Sequence, residues 1–92
     1  MTDTYVVTLK WWYPYHEAVG AKQVEVSLRA PTTPRLLLGD MIRRYPALEA
    51  MLEQDGEGEF NALVCAEKRM LPMHHQLTES CVLDIIPPIA GG

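Results

Sequence analysis

The chain has no apolar run approaching the roughly 20 residues needed to cross a bilayer, so no membrane span is expected. Positive charge is also scarce. Eight Lys and Arg stand singly or in pairs against twelve Asp and Glu, leaving a formal charge of −4. Without a positive stripe to displace counterions from phosphate, the sequence argues against nucleic acid as a partner. Cysteine is limited to Cys65 and Cys81, too few for a disulfide-built secreted scaffold and without the close spacing of zinc knuckles. The start, Met1-Thr2-Asp3-Thr4, is acidic and leads into a short alternating stretch with no small-residue cleavage pattern, which predicts a cytoplasmic protein. No Ser-His-Asp order, phosphate loop or paired carboxylate stands out. No intrinsic catalytic residue and no metal site are therefore expected.

What is present is a hydrophobic fraction of 48% in 92 residues, enough for one core and too short for two. Tyr5, Val7, Leu9 and Trp11 alternate with Val6, Thr8, Lys10 and Trp12, which predicts a first strand. A loop broken by Pro14 and Gly20 is expected from Tyr13 to Lys22, followed by a strand with Val24, Val26 and Leu28 on one face. Thr33 before Pro34 is a helix start, because the hydroxyl caps free amides and proline at the first helical position loses no hydrogen bond. From Pro34 to Tyr45, Leu37, Met41 and Tyr45 recur at four-residue spacing with Leu38 and Ile42 beside them. Pro46 ends that helix, and Leu48, Met51 and Leu52 suggest further turns before an acidic loop. A third strand is expected from Phe60 to Ala66, a polar turn at Glu67-Lys68-Arg69, a brief strand at Met70-Leu71, and a last strand from Cys81 to Ile86. The order is α+β, a mixed sheet of four to five strands with one main helix across one face. The helix is expected to bury Leu37, Leu38, Met41 and Ile42 against Val24, Val26, Leu63, Leu83 and Ile85.

The most informative feature follows that last strand: Pro87-Pro88-Ile89-Ala90-Gly91-Gly92. Prolines favour extended polyproline geometry, so this segment can reach up to about 19 Å at roughly 3.1 Å per residue. Glycine lacks a β-carbon, so the last peptide fits a narrow channel and its carboxyl is open to a reagent. Residues 1–86 then form the folded domain and 87–92 an extended, flexible tail.

A Pro-Pro-x-Ala-Gly-Gly ending directly after a last strand resembles the ubiquitin-like sulfur carriers, among them the small subunit of molybdopterin synthase and the thiamine-pathway carrier. The strand, strand, helix, strand, strand order fits their β-grasp fold, and Tyr45-Pro46-Ala47-Leu48 resembles a helix-end pattern of the molybdopterin-type members. Ser80-Cys81 stands where that family often has Gly-Asp. The resemblance implies that a ubiquitin-activating-type adenylyltransferase uses ATP to convert the Gly92 carboxylate to an acyl-adenylate. A persulfide donor then replaces AMP with sulfur. The Gly92 thiocarboxylate would deliver sulfur to an acceptor such as the molybdopterin synthase large subunit, with Pro87, Pro88, Ile89, Ala90 and Gly91 threading into partner sites. The chain itself would bind no cofactor. Two other classes stay open, a protein modifier joined to lysines through Gly92 and an interaction module whose tail is a docking peptide.

Other residues have blander readings beside their functional ones. Trp11, Trp12, Tyr13 and Tyr15 either line a partner surface or fill the core, and core packing is expected. Cys65 and Cys81, which the β-grasp order implied by the resemblance would set on neighbouring strands, are expected to be buried, inert thiols rather than a redox pair or persulfide relay, since neither neighbourhood is positive. Met70, Met73, His74 and His75 lack the spaced ligands that define a metal geometry and read as a solvated loop. Asp40, Glu49, Asp55, Glu57 and Glu59 could steer a basic partner, yet read first as wet surface.

Overall fold

The computed structural model describes residues 4–52 and 60–87. Strands β1 (Tyr5–Trp11) and β2 (Gln23–Leu28) bracket a short helix, α1 (Tyr15–Val19). The main helix α2 (Pro34–Arg44) and the single turn α3 (Leu48–Met51) follow. Strands β3 (Leu63–Ala66), β4 (Arg69–Met70) and β5 (Cys81–Ile86) complete the chain. The five strands lie in one sheet in the order β2-β1-β5-β3-β4. β1 and β5 run parallel with Trp11 opposite Ile85, and the other neighbouring pairs are antiparallel. The last strand thus sits in the middle, hydrogen-bonded on both sides.

Alternation along the strands decides what α2 covers. Val7, Leu9, Trp11, Val26, Val64, Leu83 and Ile85 point inward and are buried with Leu37, Leu38 and Met41 of α2. Each such side chain contributes about 1.5–3 kcal/mol relative to exposure. α2 begins as its sequence dictates: the Thr33 hydroxyl accepts from the Leu36 N–H at 3.2 Å and Pro34 occupies the first turn. Tyr45 is its C-cap. Ile42 and Val24 pack half-buried at the margin of the core.

Three sequence expectations need correction. The Tyr13–Lys22 segment carries α1, because Tyr15 and Val19 fall on one helical side and are both buried, with Gly20 closing the turn in the left-handed region at φ 82°. Pro14 stands before this turn rather than breaking it. Leu63 does not face α2. β3 starts at Leu63 rather than Phe60, and its register sets Val64 against Ile85 inside and Leu63 against Ile86 on the outer face. Leu63 and Val64 are both apolar, so composition alone left the inward position undecided. The brief strand at Met70-Leu71 instead spans Arg69–Met70, one residue earlier, because the preceding turn takes only Glu67 and Lys68, both with positive φ.

Candidate functional site

The site is built where β5 leaves the sheet. Because β1 runs parallel to β5, the chain following β1 lies beside the end of β5. Trp12 fastens the two: its backbone N–H donates to the Ile85 carbonyl at 3.1 Å, and its indole Nε1–H donates to Asp84 Oδ1 at 3.3 Å. Pro87, half-buried, is the last described residue, while Pro88, Ile89, Ala90, Gly91 and Gly92 lie outside the described residues.

The aromatic cluster divides into two roles. Trp11 and Tyr15 are buried and meet edge to face, with ring centroids 6.4 Å apart, pinning α1 to the core. Burial pushes the Tyr15 phenol above its ordinary pKa. Trp12 and Tyr13 are 51% and 70% exposed, and Tyr13 leans on His16 at a centroid distance of 5.7 Å. Together with Lys10, Lys22 and Asp84 they border an open cleft of about 430 Å³. Sequence reasoning foresaw aromatic residues here but not the lysines or Asp84. No sequence signal points to them, because periodicity does not reveal the parallel pairing of β1 with β5 that makes Lys10 and Asp84 neighbours.

The remaining candidates separate. Cys65 and Cys81 are on adjacent strands, both free and half-buried. Cys65 pairs with Asp84, three residues from Cys81, so the two thiols belong to opposite faces of the sheet. Burial, then Glu79 and Glu67, pushes the Cys81 thiol above its ordinary pKa, which suppresses the thiolate. His74 and His75 are exposed, Met73 packs against the core, and among the described residues no group of three His, Cys, Asp or Glu could hold a metal. Asp40 pairs with Arg43 at 2.6 Å on the exposed side of α2. Glu49 is exposed on α3, and Asp55, Glu57 and Glu59 lie outside the described residues. Among the described residues, no helix is long and apolar enough to cross a membrane.

No protein-family model matches the chain, and no curated protein matches it either. Solved structures do. Small archaeal modifier protein 1 from Haloferax volcanii is similar with a TM-score of 0.78 and 20% identity, covering 92% of this chain and 99% of that one. A Pyrococcus furiosus chain given the name molybdopterin converting factor, subunit 1, is similar with a TM-score of 0.74 and 16% identity, again over 92% and 99%. Small archaeal modifier protein 1 from Methanosarcina acetivorans is similar with a TM-score of 0.72 and 20% identity, over 97% and 98%. With the five-stranded mixed sheet and its covering helix, these likenesses define the fold as the ubiquitin-like β-grasp.

Proposed function

We propose that this chain is a ubiquitin-like sulfur carrier of the molybdopterin type, acting through its Gly92 carboxylate and supplying no catalytic group of its own. The observation carrying this reading is the root of the tail: a central strand ends at Ile86 and passes through Pro87 into Pro-Ile-Ala-Gly-Gly. A carboxylate is a poor electrophile, so a ubiquitin-activating-type adenylyltransferase first joins it to AMP from ATP, releasing pyrophosphate. The terminal sulfur of a persulfide donor then attacks the acyl carbon and AMP leaves. Cleavage of the resulting S–S bond by a second thiol frees the Gly92 thiocarboxylate and leaves the donor as a disulfide. That nucleophile passes sulfur to an acceptor such as a molybdopterin synthase large subunit, in keeping with the name borne by the Pyrococcus furiosus neighbour.

The names of the Haloferax and Methanosarcina neighbours favour one second reading, a protein modifier that uses the same activation but ends in an isopeptide bond to lysine. Intact mass after incubation with ATP, an adenylyltransferase of this class and a persulfide donor separates the two. Replacement of one oxygen by sulfur on the full-length chain is the expected result. A ladder of lysine conjugates without it would establish the modifier, and an unchanged mass would refute both.

A further inference from the structure

The cleft at the end of β5 brings two lysines, Lys10 and Lys22, together with one carboxylate, Asp84, on a chain whose formal charge is −4. Lys10 and Lys22 are both exposed, and neither forms an ion pair among the described residues. Asp84 is the register partner of Lys10 on β5 and lines the same cleft, yet the described residues show no ion pair between the two; the Asp84 Oδ1 accepts from the Trp12 indole instead. Trp12 and Tyr13 add exposed aromatic surface that a monomer has no need to show. The place of this surface matters as much as its chemistry. Any enzyme that takes in the segment after Pro87 must bring the mouth of its channel against the end of the sheet where β5 stops, and the cleft lies at that end.

We infer that Lys10 and Lys22, with Trp12 and Tyr13, form the docking surface for an acidic, apolar-centred rim around the tail-binding channel of the activating enzyme. This inference rests on the sulfur-carrier reading and adds the chemistry of the partner surface. Cations at the edge of such a contact act mainly on encounter and register, while the aromatic pair supplies the desolvated centre. Charge reversal should therefore raise KM for the carrier in adenylation and leave kcat nearly unchanged.

The test measures steady-state adenylation, as pyrophosphate release, with the adenylyltransferase that activates the wild-type chain. The variants are Lys10→Glu with Lys22→Glu, Trp12→Ala, and a charge-matched control, Lys68→Glu with Arg69→Glu, at the β3–β4 turn away from the tail root. Circular dichroism confirms that each is folded. The cleft double variant is expected to raise KM on the order of tenfold at low salt, with the difference shrinking in 0.5 M NaCl as screening lengths fall to a few Å. Trp12→Ala is expected to raise KM at both salt concentrations, and the control to leave it unchanged. An unchanged KM in the cleft double variant, or an equal rise in the control, overturns the docking surface while the carrier reading stands. Failure of wild-type chain to be adenylated overturns the carrier reading and the docking surface with it.

Discussion

Leu83→Ala tests the arrangement of faces on which every later inference depends. Leu83 is fully buried on the central strand, with β1 on one side and β3 on the other and α2 above. Because both neighbours are fixed by ladder hydrogen bonds, the space left by the lost methyl groups closes poorly. The cost should fall in the middle of the range for buried leucines, about 3–4 kcal/mol. A domain of 92 residues holds on the order of 5–14 kcal/mol, so this is a large share of its stability. Thermal unfolding should drop by about 12–32 °C at about 4–8 °C per kcal/mol. Val82, one residue earlier, is 45% exposed on the other face, and Val82→Ala should cost less than about 1 kcal/mol. Urea unfolding followed by tryptophan fluorescence measures both. A loss under about 1 kcal/mol for Leu83→Ala, or equal losses for the two variants, would refute the inward placement of Leu83.

Removing Gly92 is expected to abolish thiocarboxylate formation while leaving thermal unfolding unchanged, because the carboxyl withdraws by one residue, up to about 3.3–3.6 Å; intact mass and calorimetry read the two effects. Gly92→Val should block the same step by crowding the carboxyl, and full yield from either variant would remove Gly92 as the reactive terminus. Thr33→Ala should cost about 1 kcal/mol in urea unfolding by leaving the Leu36 N–H without its acceptor, and a neutral result would show that water replaces the cap fully. Since the Cys81 pKa lies above its ordinary value, less thiolate exists at any given pH, so alkylation by iodoacetamide at pH 8 should be slower in the folded chain than in guanidinium and should accelerate as pH rises. Equal folded and unfolded rates would contradict that microenvironment.

Much of the fold was legible because its local signals agree with one another. Thr33-Pro34 starts α2, the four-residue spacing of Leu37 and Met41 turns one stripe inward, and Cys81, Leu83 and Ile85 alternate in phase with the ladder. The signals failed where two apolar residues were adjacent or where burial outweighed a breaker. Leu63 and Val64 are equally suited to a core, and only pairing with Ile85 and Ile86 assigns them to faces. Pro14 and Gly20 read as loop punctuation, yet burial of Tyr15 and Val19 holds a turn of helix between them. The cleft at the tail root was illegible for a stronger reason. Lys10 and Asp84 are 74 positions apart, and only parallel pairing of β1 with β5 makes them neighbours.

On the proposed carrier reading, that same pairing suits β5 better than an edge strand to bear the segment after Pro87. A segment entering a partner's channel would load the strand that bears it, and an edge strand resists with one ladder while β5 is held by two, to β1 and β3. Trp12 adds backbone and side-chain hydrogen bonds at the last turn of that ladder. On that reading the root is held by the sheet, and six residues at polyproline rise would reach up to about 19 Å. A channel shorter than this reach would leave the cleft out of contact with the enzyme, whereas a channel of matching depth brings its rim onto Lys10 and Lys22. Inserting one alanine between Pro88 and Ile89 should therefore weaken the salt dependence of KM together with the yield, because it lifts the rim off the lysines as it displaces the carboxyl. Loss of yield with an unaltered salt dependence would show that the rim and the cleft do not meet.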